Sequence, residues 1–461
     1  MIRLFKHYIP HAVILLGLID ITLLVVAADF AWRLRAGQIG MDPGSIAERG
    51  GQLAGFAGII LTAMIAVGVY GGDALRSMRF ATARLLVAVS LGIIALAFVD
   101  FVIGGHNFWR STLAYAMAGS VVLLVMNRLV VGGVLGASAF RRRVLVLGAG
   151  ERAIRLRELS ERPESGFCIV GYLAMTDTPP LIAEAINRSA IHNLTRFVEN
   201  LSVSEVVLAL EERRNALPLG DLLRIKTTGV HVNDFSSFIE RETGRVDLGT
   251  VNPSWLIFSD GFSSGRAISS AAKRLFDIFA SSLLLAATAP VIALFALLVK
   301  LDSRGPAFFR QTRVGLYGQS FDVIKLRSMR TDAEANGAQW AQKDDPRVTR
   351  LGRFIRKVRI DELPQTWSVL KGEMSFVGPR PERPEFVADL ETQLPFYAER
   401  HMVKPGITGW AQINYPYGAS IEDSRHKLEY DLYYAKNYTP FLDLLILLQT
   451  LRVVLWHEGA R

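Results

Sequence analysis

Four apolar stretches, His11–Trp32, Gly51–Tyr70, Ala83–Ile103 and Ser111–Leu135, fill the first third of this 461-residue chain. Each is long enough for a helix crossing a hydrocarbon core of about 30 Å, which takes about 20 residues. Lipid offers no hydrogen-bond partners, so such segments must satisfy their own backbone groups as helices. The first stretch is too long for the core of a signal peptide, and three like it follow. Positive charges in the short loops set the orientation. Arg3, Lys6, Arg76, Arg79, Arg84, Arg141, Arg142 and Arg143 fall on one side; Arg33, Arg35, Arg49 and Arg110 fall on the other. This bias of eight to four puts both ends of the four-span section, and the start of all that follows, in the cytoplasm. Asp20 and Asp100, within or at the edge of spans, are expected at helix–helix contacts or at the interface.

The rest of the chain is not membrane-like. Mean hydropathy is +0.27 with 21% charged residues, too apolar for a soluble enzyme and too charged for a pure bundle. Membrane helices joined to water-facing domains reconcile the two. The net charge of +9 suits nucleic acid, anionic lipid or a phosphorylated substrate. It is spread along the chain, with no zinc-finger spacing, basic zipper or RNP-like run, so nucleic acid is not an expected partner. A single cysteine, Cys168, rules out an intrachain disulfide framework and a Cys-cluster zinc site.

Residues 141–262 read as an α/β domain. Val144–Leu147 is a short buried-strand run, followed by Gly148-Ala-Gly150 and a helical stretch from Glu151; further strand-like runs are Ile169–Tyr172, Glu205–Leu208 and Gly229–Val232. Strands alternating with helices predict a parallel sheet. Gly148-x-Gly150-x-x-Ala153 has the setting of a dinucleotide fingerprint. The acidic residue that should follow the second strand is missing: Leu173-Ala-Met comes there, and Asp177 is late. A Rossmann-like domain with a structural or regulatory role, or one for some other nucleotide, is the better reading.

Residues 263–461 open with a fifth apolar run, Ile278–Leu301, with Pro290 in its middle and basic residues on both flanks: Lys273 and Arg274 before it, Lys300, Arg304 and Arg310 after. Proline removes a backbone donor and breaks or kinks a helix. Basic flanks on both sides predict a helix that enters the membrane, turns at Pro290 and leaves on the same side. Phe441–Trp456, broken by Asp443, Gln449 and Arg452, predicts an interfacial amphipathic helix.

The chemistry concentrates between Phe308 and Asn414. Phe309-Arg-Gln-Thr-Arg-Val-Gly315, Lys325-Leu-Arg-Ser-Met-Arg330, Arg356-Lys-Val-Arg-Ile-Asp-Glu-Leu-Pro-Gln365, Gly372-Glu-Met-Ser-Phe-Val-Gly-Pro-Arg-Pro-Glu382 and Lys404–Gln412 are rich in guanidinium groups, whose planar forks bind phosphate oxygens in pairs. Asp361-Glu362 opens a helical pattern in which Leu363, Trp367 and Leu370 form one apolar face, closed by Gly372. A carboxylate at a helix N-terminus is commonplace. Here Arg353, Arg356, Lys357 and Arg359 stand just upstream, which predicts an ionised Asp361 with a polyphosphate held against it. A carboxylate attacking phosphorus forms an acyl phosphate. Glu362 would assist as a base or help place a metal, and Mg²⁺ is the expected ion because it binds carboxylate together with substrate phosphates. Pro379-Arg-Pro381 pre-sets Arg380 for a phosphate. The Arg350–Arg359 cluster also suits anionic headgroups. Neither a His-Glu-x-x-His arrangement nor a Walker phosphate loop occurs. A nucleotide-sugar dehydratase would show a tyrosine four residues before a lysine, and no lysine here has one.

Lys273-Arg-Leu-Phe-Asp277, Lys300-Leu-Asp302, Lys325–Arg330, Ile360–Gln365, Gly372–Glu382 and Lys404–Gln412 occur in an order that resembles the large monotopic phosphoglycosyl transferases, the bacterial polyprenyl-phosphate hexose-1-phosphate transferases, over about the last 190 residues. The first 262 residues look like the membrane section and Rossmann-like domain of the large members, and Glu211–Phe262 looks like the exopolysaccharide branch. The resemblance implies a fold of three parts: a four-span α-helical membrane bundle (1–140), an α/β Rossmann-like domain (141–262), and an α-rich monotopic transferase domain (263–461) with a re-entrant helix over about 275–301. It implies Asp361 as nucleophile and metal ligand, Glu362 as its dyad partner, phosphates held by Arg356, Arg380, Lys325, Arg327 and Arg359, and a structural helix break at Pro290. In many members that break is Ser-Pro, and here it is Ala289-Pro290. The implied reaction moves a sugar-1-phosphate from a UDP-sugar to polyprenyl phosphate with Mg²⁺, releasing UMP, as the first step of exopolysaccharide or other surface glycan assembly. It would take place at the cytoplasmic face of the bacterial inner membrane, among membrane lipids, in a homodimer.

Overall fold

A computed structural model describes residues 2–4, 7–9, 11–70, 78–103, 110–135, 141–162, 165–175, 179–211, 217–250, 267–333, 345–416, 418 and 420–456. Lys6, Arg76, Asp177 and residues 251–262, and the side chains of Arg3, Arg79, Asp100 and Arg452, lie outside this description. The chain forms two compact units, 1–243 and 244–461.

In the first unit the four apolar stretches are helices: α1 His11–Ile39, α2 Gly50–Val67, α3 Met78–Ile103 and α4 Arg110–Leu135. All four are long and apolar enough to cross a membrane. Leu24, Phe56, Ile60, Met64, Leu85, Val89 and Leu124 interlock in their core. Small residues bring the backbones close: a Cβ on Gly92 would lie 2.8 Å from Ile60. Leu15, Phe30, Ile94, Phe98 and Val122 point outward. Asp20 makes a helix–helix contact. Fully buried, its carboxylate takes both arms of Arg128 (3.1 and 2.7 Å), the Asn127 amide (2.9 Å) and the Tyr70 hydroxyl (2.8 Å). A charge pair in this setting holds only because its partners replace the lost water.

The α/β part of this unit has strands β1 Arg142–Leu147, β2 Phe167–Ala174, β3 Ile186–Asn187, β4 Glu205–Leu208 and β5 His231–Asp234. They form one parallel sheet in the order 3-2-1-4-5, the dinucleotide-binding order 3-2-1-4-5-6 without its last strand. Helices α5 Glu151–Glu161, α6 Leu194–Asn200, α7 Leu219–Thr227 and α8 Phe235–Thr243 flank it. Val144 and Val146 enter one core and Leu145 and Leu147 the other, which is why β1 reads as an unbroken apolar run. The last strand lies two residues beyond its expected start. Gly229, at φ +88°, ends α7 first.

The second unit begins with a strap, 244–250. Val246 (1% exposed) and Leu248 are buried, Val246 N–H donates to Glu429 O, and Trp410 Nε1–H donates to Gly244 O. These residues therefore belong to the C-terminal fold. Val246→Ala removes two buried methyl groups and is expected to destabilise this unit by about 2 kcal/mol, read as a lowered thermal midpoint.

Next comes α9, Ala267–Asp302, a single helix that runs through Pro290. The expected break is thus accommodated within one helix. Proline leaves the Ala286 carbonyl without its donor, and one turn earlier the Thr288 hydroxyl donates to Leu284 O at 2.7 Å, a bond that bends helices. A hydroxyl therefore stands beside the proline even though Ala289 replaces the serine. Hairpin β6 Phe308–Val314 and β7 Ser320–Leu326, α10 Arg350–Lys357, a 3-10 turn Ile360–Gln365, α11 Thr366–Lys371, β8 Ser375–Val377, α12 Pro384–Gln393, β9 Gly406–Thr408, α13 Trp410–Asn414, α14 Ile421–Asn437 and α15 Pro440–Trp456 follow. The unit is α-rich, as expected, with two small sheets besides.

Candidate active site

The Lys273-Arg-x-x-Asp277 segment fastens α9 to the unit. Lys273 Nζ reaches Asp443 Oδ2 (2.6 Å) and Val377 O (3.0 Å). Arg274 donates to Val369 O and Leu370 O at the end of α11. Asp277 accepts from Ser375 Oγ and Phe376 N–H. At the other end of α9, Phe295 stacks on Phe354, and Val299 packs with Leu326 and Ile355. Arg327, expected among the phosphate-binding groups, belongs here instead. It is 5% exposed, and its guanidinium donates to Val299 O, Ser303 O and Oγ, and Arg304 O. It caps the end of α9, so its fork is not available to a phosphate. Asp443 likewise corrects the reading of α15. It points inward to Lys273, and Leu442 and Ile446 are fully buried beside it, so the polar interruption lies on the packed face and not on a water-facing one.

Lys325 on β7 and Arg356 near the end of α10 flank the 3-10 turn that carries Asp361 and Glu362. Arg359 precedes that turn with φ +61°, a left-handed conformation that a side chain disfavours. Glu362 lies 3.1 Å from Arg380 and 3.6 Å from both Lys325 and Arg359. Burial works to raise its pKa, but these three cations outweigh burial and hold it down to about 2. Lys325 is pushed down to about 8 by burial, against the pull of Glu362. For Asp361 the expected effect is reversed. Burial first, then the Glu362 charge, raise its pKa, outweighing Lys325, Arg356 and Arg359. Among the described residues Asp361 Oδ1 is buried without a hydrogen-bond partner. Of the expected cations, Lys325, Arg359 and Arg380 contact Glu362 directly, and Arg356 acts on Asp361 through its charge.

The 379–382 segment is pinned at every carbonyl. Gly406 N–H donates to Pro379 O, Arg400 to Arg380 O, Arg313 to Pro381 O and Val314 N–H to Glu382 O, all at 2.9–3.0 Å. Arg400 is itself buried against Asp431 (2.7 Å). Backbones touch here: a Cβ on Gly378 or Gly406 would lie 2.1 Å from main-chain atoms. Arg313, Lys325, Gln365, Arg380 and Gly406 line an open cleft. Arg313 was visible within a basic run, although nothing singled it out. Arg400 and Asp431 have no local signal, because tertiary folding alone brings them together.

The helical face predicted after Asp361 is turned outward. Trp367 is 47% exposed, while Pro364, Gln365, Thr366, Ser368 and Val369 are buried.

Residues 268–457 match the family described as bacterial sugar transferase, and residues 65–220 match one described as CoA-binding domain. A UDP-N-acetylgalactosamine-undecaprenyl-phosphate N-acetylgalactosaminephosphotransferase of Aeromonas hydrophila is 43% identical over 52% of this chain, and the chain spans about half of that relative's length, 56%. Two relatives named UDP-glucose:undecaprenyl-phosphate glucose-1-phosphate transferase extend further. That of Xanthomonas campestris pv. campestris is 32% identical over 77% of this chain and 76% of its own. That of Klebsiella pneumoniae is 31% identical over 85% of this chain and 87% of its own. The chain belongs to the bacterial sugar transferases. In this sugar transferase the matched region contains every residue of the cleft and all of α9 but Ala267.

Proposed function

We propose that this sugar transferase moves a sugar-1-phosphate from a UDP-sugar to polyprenyl phosphate through a phosphosugar ester on Asp361. The observation that carries the reading is the buried Asp361 Oδ1, without a partner among the described residues, beside a cleft lined by cations, with Glu362 already paired to Arg380, Lys325 and Arg359. Arg380, Lys325 and Arg313 receive the diphosphate. A carboxylate oxygen of Asp361 attacks the sugar-bearing phosphorus, the bond to the bridging oxygen breaks, and UMP leaves. The phosphate of the polyprenyl acceptor then attacks the same phosphorus, and the acyl-phosphate bond breaks to restore Asp361. Asp361, whose Oδ1 has no partner among the described residues, would hold Mg²⁺ together with substrate phosphates, where the ion would offset charge developing on phosphorus.

Helix α9 supports the membrane part of this reading. A straight helix from Arg274 to Val299 would run about 37 Å. Both ends grip the same unit, while Ile278, Phe279, Leu283, Val291 and Leu294 between them are exposed. This favours a re-entrant helix bent near Pro290. Exposed Phe354, Val358 and Trp367 would continue the apolar surface onto the membrane beside Arg353 and Lys357. The charge bias of the loops supports a site at the cytoplasmic face of the inner membrane.

The test is product identity. The protein in nanodiscs is given Mg²⁺, polyprenyl phosphate and a panel of UDP-sugars that includes glucose and N-acetylgalactosamine donors. UMP release supports phosphosugar transfer and identifies the donor; UDP release would mean glycosyl transfer instead. A pH series adds a second check. Asp361 must be ionised to attack, and its pKa is raised by burial and by Glu362, so the rate is expected to fall with pH from above the ordinary carboxylate value of 3.8. Glu362→Gln removes one raising cause and frees the cations, so the acid limb of the remaining activity should move to lower pH. No movement would mean that Glu362 does not act on Asp361.

A further inference from the structure

We infer that the α/β domain fills its own phosphate seat with Glu211, and so does not take the nucleotide that its strand order and its CoA-binding match suggest. In an open parallel sheet of this order, a nucleotide lies outside the carboxyl ends of β1 and β4, with its diphosphate on the N–H groups at the start of the first helix. Gly148 holds φ +131°, and a Cβ there would come within 2.6 Å of Ala209 O. The glycine turn is thus spent on packing against the chain that leaves β4. That chain brings in Glu211, whose Oε1 accepts from Glu151 N–H at 3.0 Å. The same oxygen lies 2.7 Å from where a Cβ of Gly150 would be. A carboxylate therefore stands where a phosphate oxygen would, and its charge repels any other anion.

Two further features close the remainder of the crevice. Leu181 N–H donates to Ala149 O at 2.9 Å, with Ile182 fully packed in the core beneath, so the chain after β2 crosses the glycine turn. At the end of β2, where a ribose would need an acidic acceptor, Met175 packs onto the other core. Three independent positions, belonging to the diphosphate, the turn and the ribose, are each taken by the protein itself.

The test reads amide hydrogen exchange over 148–155 in the full chain in nanodiscs, with pyrophosphate, ADP and CoA added separately. The wild type is expected to show no change with any of them. Glu211→Gln and Glu211→Gly should gain protection there, with an affinity for pyrophosphate or ADP roughly tenfold or more above wild type, equivalent to one charge-assisted contact. Retained protection of 144–147 shows that the sheet stays folded, and Glu211→Gln, which keeps the side chain's shape, decides the matter if the glycine variant loses it. Saturable protection of the wild type by any of the three probes overturns the inference. So does failure of the folded variants to gain protection.

Discussion

Asp361→Asn is expected to abolish UMP release, by roughly 10⁴-fold or more, the scale on which removing a covalent nucleophile acts. Asparagine matches aspartate in shape but cannot form an acyl phosphate. The fold has little reason to object. The carboxylate is buried, its Oδ1 has no partner among the described residues, and its charge sits beside that of Glu362. Thermal stability should therefore hold or rise slightly while turnover disappears. Donor binding should survive, because Arg380, Lys325 and Arg313 remain. Rapid quench with a labelled donor separates the two: wild type accumulates a labelled protein adduct and the asparagine variant does not. Unchanged UMP release in the variant would remove Asp361 from the mechanism.

Lys273→Met is expected to cost about 3–5 kcal/mol, as removal of one partner from a buried ion pair does. Among the described side chains Asp443 would keep the Tyr434 hydroxyl, 2.7 Å from its Oδ1, against a charge buried between α9, α14 and α15. The double variant Lys273→Met with Asp443→Leu should recover most of the loss, because two apolar groups replace two charges together. Thermal unfolding of the four proteins in one detergent gives the coupling. A double variant as unstable as the single would show that Lys273 acts through Val377 O and not through Asp443.

Much of the architecture was legible because lipid and buried sheets impose simple patterns. Uninterrupted apolar length gave the four N-terminal helices long enough to cross a membrane, and Val144–Leu147 announced a strand covered on both faces. The site was legible as a collection of charges, since Asp361, Glu362, Lys325, Arg356, Arg359 and Arg380 do gather. What sequence could not show is which cation serves which partner. Arg327 and Arg380 look alike in a basic run, yet the first closes a helix end and the second meets Glu362. Asp443 looked like a polar interruption of a surface helix until folding set Lys273 opposite it. Trp367 turns outward although it is apolar, because the surface proposed to meet the membrane would not obey the rule that apolar means inside.

The glycines at 378, 406 and 409 set how freely this site can drift in evolution. Gly409 too would bring a Cβ within 2.2 Å of backbone, at Gly378 O. Two main-chain segments touch here, 378 and 404–409, and no rotamer change can relieve such a contact. A saturation library selected for function should return glycine alone at these positions, while the exposed turns of Pro384–Gln393 accept many residues. Descendants of this chain can change what the cleft holds by replacing side chains around it, but they inherit its floor unaltered.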